Sequence, residues 1–437
     1  MKRTRAQNIA YYLVPSVLSS CCFFLFTVID GVFVGRGVGV DALGAINIAL
    51  PFVMLVVSLN LLVTIGGVTI AAIRLGRGDT NGANQVFMHA LSGIFMVAVL
   101  LCIAGMFFTG PLARLLGAND IYFTYVRDYL FWYSAFLIIS EPGFLLQAFC
   151  RNDGSPRLVA ASVIVSTAAN VFLDWLFIFP LQQGVAGTAI ATGISQTIGA
   201  VIMLSHFIRK KGALRFHLFT PDFAMWRKIL LRGLPEMTAQ FAMPVTTLCL
   251  NYTLLNSLGA SAVNAYSIIN YVSSCLFAAF WGISEGLQPL FGQSYGAKKE
   301  NDLKYYFHAG VVINFSASVA IFVLLLFLGR VICGLFGADE TIYNVIVDAM
   351  PKFAWSFIPI SLTAIISAYL YSTKRTKESV IINVCRGLLF NSVIISVFPV
   401  LFGVAVVWFT AGIAEMLALI VAITLLKRSE KNGITFR

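Results

Sequence analysis

LLGAND at residues 115–120 returns as LFGADE at residues 335–340, an offset of 220 positions. Outward from that pair, the same offset joins Pro15 to Pro235, Gly39 to Gly259, Ala45 to Ala265, Gly76 to Gly296, Phe87 to Phe307 and Asp128 to Asp348. Toward the C-terminus the offset becomes 219. Pro180 then meets Pro399, GVA at 184–186 meets GVA at 403–405, and GI at 193–194 meets GI at 412–413. A long fixed period with a single slip is the signature of a duplicated unit.

The repeated unit is built for a membrane. Of the 437 residues, 59% are hydrophobic and 11% charged, and the mean hydropathy is +0.87. Soluble chains carry roughly 25% charged residues, so a water-soluble enzyme is excluded. Apolar segments lie at about 10–34, 43–73, 86–109, 121–149, 157–180, 187–208, 227–255, 262–292, 305–329, 342–371, 379–402 and 404–426. Each must be helical, because a spanning segment satisfies its backbone internally. The expected fold is therefore an all-α membrane protein with twelve transmembrane helices in two six-helix bundles. Six is even, so both copies enter the membrane in one direction and are related by a pseudo-twofold axis along the membrane normal, with a substrate path between them. That architecture suits a carrier better than a channel.

Net charge of +11 raises the question of nucleic acid, but the basic residues flank apolar segments, as topogenic charge does. With the N-terminus inside, the inner segments hold 24 Lys and Arg, against Arg36, Arg114 and Arg330 outside. Both termini are thus expected in the cytoplasm of a multi-pass cell-membrane protein. Lys2, Arg3 and Arg5 precede an apolar run with no small-residue cleavage site, which reads as a retained first span. The most basic connection, residues 209–226, separates an N-terminal lobe at 1–208 from a C-terminal lobe at 227–437. His206 and His217 are read as topogenic residues of this linker region, and His89 and His308 as interface anchors at equivalent helix ends. The eight Cys show no zinc-ligand spacing and read as reduced, membrane-buried side chains.

Ionisable residues inside a membrane cost at least ~2.5–3.5 kcal/mol on insertion scales, so each needs a reason. Asp30 falls in the outer half of the first span, and Asp174 reaches a similar depth in the fifth. Asn170 lies one turn before Asp174 on the same helical face, and Thr192 enters the sixth span at comparable depth. These oxygens suit a hard cation, or a proton shared between two carboxylates. The blander alternative is that Asn170 and Thr192 merely join helices. The repeat argues against it, because the counterparts of Asp30, Asp174 and Thr192 are Leu250, Ile394 and Ala411. Elsewhere, Glu141, Glu236, Glu285, Arg386 and Glu415 are candidate substrate or gate residues. Arg386 is expected to pair with Glu236 or Glu285, and Glu415 to attract cations near the midplane.

TVIDGVFVGRGVGVDALGAINIALPF (27–52), RNDGSPRLVAASVIVSTAANVFLDWLFIF (151–179) and GISEGLQPLFGQSYGAKKEND (282–302) resemble the signatures of the MATE (multidrug and toxic compound extrusion) family, in its prokaryotic DinF- and MepA-like branch. The resemblance implies a secondary active antiporter that exports organic, chiefly amphipathic cationic, compounds in exchange for sodium ions or protons. It also implies that Asp30, Asn170, Asp174 and Thr192 form the N-lobe cation site. Glu285 departs from the family pattern, which has Gln there. No cofactor beyond the coupling ion is expected. The partners are a small organic substrate and the lipid bilayer, with no nucleic acid, and the chain is expected to be monomeric. A lipid-linked precursor flippase is the alternative, disfavoured by the twelve-span length and few buried basic residues. HExxH, DDxxD and nucleophile-elbow motifs are missing from the sequence, so no catalysis is expected.

Overall fold

A computed structural model describes residues 3–240, 242–258, 260–336 and 340–431. Gly259, and residues 337–339 of the LFGADE repeat, lie outside the described residues, as do the side chains of Pro244, Cys333 and Arg330. The helices of the first half are α1 (Arg5–Gly37), α2 (Val40–Gly76), α3 (Thr80–Phe107), the short α4 (Thr109–Leu115), α5 (Phe123–Asn152), α6 (Pro156–Ile178) and α7 (Gly184–Ile208). Those of the second half are α8 (Phe223–Gln240), α9 (Ala242–Leu258), α10 (Ala260–Gly296), α11 (Glu300–Phe336), α12 (Glu340–Ala354), α13 (Phe357–Ser372), α14 (Thr376–Val384), α15 (Asn391–Phe402) and α16 (Val407–Lys431). A π-helical turn, Cys385–Phe390, joins α14 to α15. Among the described residues, ten helical segments are long and apolar enough to cross a membrane. The other two expected spans fall on α8 with α9 and on α10, giving the twelve passages of the duplicated unit.

Local signals set the helix ends. Asp79 caps α3 by accepting from the Gly82 N–H at 2.8 Å, as N-terminal Asp residues do. Pro156 opens α6 at its first turn, where its missing N–H costs nothing. The duplication is also written in backbone conformation. Left-handed residues recur at repeat-equivalent positions: Gly78 (φ 77°) with Lys298 (57°), Gly154 (87°) with Lys374 (67°), and Gly184 (59°) with Gly403 (88°). The second copy thus keeps the turn geometry at two positions where glycine has been replaced.

Contacts divide the chain into Ala10–Gly233 and a unit made of Met1–Ile9 with Leu234–Arg437. This differs from boundaries drawn at 208 and 227, because the linker and the start of α8 pack on the N-terminal lobe. Gly66 of α2 and Gly233 of α8 lie where an added Cβ would strike the carbonyl oxygens of Ile229 and Leu62 respectively, so these helices cross backbone to backbone. Phe216 of the linker joins an aromatic cluster with Phe87 and Phe207, whose rings stack at 4.9 Å. At the other edge, the start of α1 belongs with the C-terminal unit. Arg5 pairs with Asp302 at 2.6 Å, and Asn8 Nδ2 donates to the Tyr306 hydroxyl.

The histidines correct the sequence reading in part. His206 is 1% exposed, with Nε2 3.0 Å from Asp153 Oδ2. Asp153 also accepts the backbone N–H groups of Ala213 and Leu214. His206 is therefore a buried clamp on the linker rather than a topogenic charge. His89 is likewise buried: Nδ1 bonds the Gln85 carbonyl, and Nε2 accepts from the Asp222 N–H at 3.0 Å. Its repeat counterpart His308 is exposed.

Candidate functional site

Three helix ends meet in the N-terminal lobe. Gly37, at the end of α1, approaches Ile178 so closely that a Cβ would collide with its side chain. Val34, Ile178 and Val185 form a buried apolar cluster there, and Phe33 meets Phe179 edge-on at 5.9 Å. This packing fixes the ends of α1 and α6 against the start of α7. Two turns back from Gly37 is Asp30, one turn back from Ile178 is Asp174, and two turns into α7 is Thr192. The three elements therefore deliver their polar side chains to one level.

Asp174 is fully buried at 0% exposure and Asn170 is 2% exposed. Asn170 Nδ2 donates to Thr192 Oγ1 at 3.4 Å, which turns its carbonyl oxygen the other way. Asp30 Oδ1, Asn170 Oδ1 and both carboxylate oxygens of Asp174 are buried and accept no hydrogen bond. Asp174 lies within reach of the Asp30 charge. Leaving one buried polar atom unsatisfied costs about 1–3 kcal/mol, and more for a charged group. Four such oxygens in one place call for a positive species among them, either a hard cation or protons on the carboxyls. Among the described residues no cluster of three or more His, Cys, Asp or Glu gathers anywhere. The donor set here is two carboxylates, an amide and a hydroxyl, which suits a weakly held monovalent cation better than a transition metal.

Tyr129 was not anticipated from the sequence. It projects from α5 within electrostatic reach of both Asp30 and Asp174 and stacks on Tyr133 at 5.9 Å. Its signal was the four-residue spacing of Tyr129, Tyr133, Leu137 and Glu141 along one face of α5. Glu141 itself does not join the Asp30 group. Its Oε2 accepts from Asn60 Nδ2 at 2.6 Å, and Asn60 Oδ1 in turn accepts from the Thr64 hydroxyl at 2.8 Å.

The remaining ionisable residues sit in the C-terminal unit. Arg386 Nε donates to Glu415 Oε1 at 2.8 Å, so its direct partner is Glu415, not Glu236 or Glu285. Glu415, expected to attract cations near the midplane, stands in this ion pair with the Arg386 guanidinium. Glu236 instead accepts a hydrogen bond from the Tyr371 hydroxyl, with Glu285 and Arg386 in electrostatic reach. Asn383 Nδ2 donates to the neighbouring Pro235 carbonyl at 2.7 Å, bracing the helix at the proline.

The MatE family model matches the chain twice, over residues 15–176 and 235–397, in step with the internal repeat. Over 424 residues the chain is 24% identical to the multidrug export protein MepA of Staphylococcus saprophyticus, covering 95% of this chain and 92% of that protein. Over 434 residues it is 24% identical to the MepA protein of Staphylococcus haemolyticus, covering 97% and 94%. Among solved structures, a MATE protein in the straight conformation superposes with a TM-score of 0.93 at 21% identity, covering 100% of this chain and 98% of that one. At that identity the likeness speaks for the fold.

Proposed function

The chain belongs to the MatE family of membrane transporters, and from that membership we propose that it is a secondary antiporter exporting small organic compounds, amphipathic cations among them, in exchange for sodium ions or protons. The observation that carries the coupling half is the set of four buried oxygens without hydrogen-bond donors on Asp30, Asn170 and Asp174. The export half draws support from the relatives named multidrug export proteins.

In this reading Asp30 and Asp174 hold the coupling ion, Asn170 and Thr192 complete its oxygen shell, and Tyr129 lines the approach. Two uncompensated carboxylates in a low-dielectric interior cost several kcal/mol each. Binding or loss of the ion therefore changes the relative stability of the lobe's conformations, which is what coupling requires. Glu141, Glu236 and Glu285 act as gate contacts, held by Asn60 and Tyr371. Both termini face the cytoplasm, and one copy of the chain suffices.

Purified protein in proteoliposomes, given either an outward sodium gradient or an outward proton gradient, tests the proposal. Uptake of a fluorescent organic cation against its own gradient is expected under one of the two. Facilitated flux that ignores both gradients would refute antiport.

A further inference from the structure

The linker after α7 is held against the N-terminal unit at both of its ends. Asp153 accepts the N–H groups of Ala213 and Leu214, and Asn84 Oδ1 accepts the N–H of Arg215 at 2.6 Å. Farther on, His89 Nε2 accepts from the Asp222 N–H at 3.0 Å, and Trp226 Nε1 donates to the His89 carbonyl at 2.8 Å. Phe219 packs edge-on against the His89 ring at 4.7 Å. His89 lies in the first turn of the apolar segment 86–109, so these bonds set the end of the linker at the edge of the apolar layer. Trp226 suits that level, since an indole has an apolar body and a polar N–H.

The anchored backbone holds two large apolar side chains outward. Leu218 is 100% exposed and Phe223 84% exposed, whereas Met225 and Ile229, on the other face of α8, are buried. Arg227 and Leu230 follow Phe223 on its exposed face at helical spacing. Charge surrounds this pair. Residues 209–232 carry seven Lys and Arg against one acid, Asp222, and that carboxylate already accepts from the Ala224 N–H at 2.8 Å. Arg209, Lys210 and Lys211 stand exposed before the apolar pair, and Arg227 and Lys228 beside it on α8. Among the described residues none of these five pairs with a carboxylate. Topogenic charge alone accounts for the basic residues. It does not account for Leu218 and Phe223 held outward between them.

We propose that the linker and the start of α8 form a docking surface for anionic phospholipid headgroups, with Leu218 and Phe223 entering the acyl boundary and the flanking basic residues meeting the phosphates. The pattern is that of an interfacial anchor, in which apolar side chains supply burial and basic ones supply attraction to negative lipid. One basic residue near such a surface strengthens binding about fivefold. An acidic protein would match the charge but not the level, because lipid occupies the edge of the apolar layer. Headgroup binding then fixes the depth at which α8 enters the membrane.

The test replaces Leu218 with the photocrosslinker p-benzoylphenylalanine in the full chain. The protein is placed in nanodiscs of equimolar phosphatidylglycerol and phosphatidylcholine with identical acyl chains. Both leaflets share that composition and no gradient is applied, so the outcome is independent of which side the linker faces and of antiport. After illumination, mass spectrometry of the linker peptide is expected to find lipid adducts, with phosphatidylglycerol enriched at least about fivefold over phosphatidylcholine. The charge variant K210Q/K211Q/R227Q/K228Q should bring that ratio close to parity. So should about 1 M sodium chloride with the basic residues intact, where the Debye length falls to about 3 Å. Equal adducts of the two lipids would overturn the inference, and so would adducts to protein alone, which would mark a protein as the occupant. Enrichment that survives high salt would overturn it as well, and this measurement decides the matter even where the charge variant does not fold.

Discussion

Replacing Gly66 by alanine tests the tightest helix crossing in the N-terminal lobe. The new Cβ would fall on the carbonyl oxygen of Ile229 and 2.9 Å from the Gly233 nitrogen. Both are backbone atoms of α8 and cannot rotate aside as a side-chain tip could, so α2 and α8 must move apart. A gap of 0.5–1 Å forfeits about a quarter to a half of each contact's dispersion energy, and overpacking of this kind costs about 1–3 kcal/mol. Against that stands a gain of about 0.5–1 kcal/mol from removing a mid-helix glycine. The net expectation is a loss of about 1–2 kcal/mol. Gly93 supplies the control, because a Cβ there would meet Trp226 Nε1 at 3.6 Å and Val63 Cγ1 at 3.8 Å, both ordinary contacts. Thermal unfolding of the purified protein in micelles, followed by tryptophan fluorescence, should show Gly66→Ala lowering the midpoint by several degrees and Gly93→Ala leaving or raising it. A Gly66→Ala protein as stable as the parent would refute the backbone-to-backbone crossing.

Lys298, exposed and at φ 57° where the first repeat has Gly78, carries a left-handed strain of about 1–2 kcal/mol, so Lys298→Gly should raise the same midpoint; a drop would show that its side chain matters more than its backbone. Asp153→Ala removes the acceptor for His206 and for two linker N–H groups, and trypsin should then cut between Arg209 and Arg215 about tenfold faster. An unchanged cleavage rate would mean the linker is held by its aromatic contacts alone. Pro15, inside α1, lacks the N–H that would tie its turn; Pro15→Ala should slow gradient-driven transport about tenfold at unchanged substrate affinity, while unaltered turnover would remove Pro15 from the transport cycle.

How far the sequence could be read depended on whether regular helix geometry held between the landmarks. The N-lobe site was legible because α1, α6 and α7 run without interruption from recognisable ends to Asp30, Asp174 and Thr192, so counting residues gave depth. In the C-terminal lobe the same counting fails. The π-helical turn at Cys385–Phe390 departs from the 3.6-residue period, and Arg386, which lies inside it, pairs with Glu415 rather than with Glu236 or Glu285. The linker misled for a different reason. Lys and Arg around His206 look like plain topogenic charge, and no local pattern announces that residues 213–214 fold back onto Asp153. The edge between lobes was similarly hidden, since Gly66 and Gly233 reveal their close approach only once α2 and α8 are placed together. Duplication, by contrast, was visible in the residues and reappears in the backbone at Gly154 and Lys374.

The central claim is that Asp30 and Asp174 hold the ion whose gradient drives export. Its most direct test is gradient-driven accumulation of a fluorescent organic cation in proteoliposomes containing Asp30→Asn or Asp174→Asn protein, compared with the parent at matched protein density. Each substitution keeps the side-chain shape and removes the charge. Both variants should insert and fold as the parent does yet lose gradient-driven transport altogether. Export by the Asp30→Asn protein at the parent's rate under the same gradient would contradict the account.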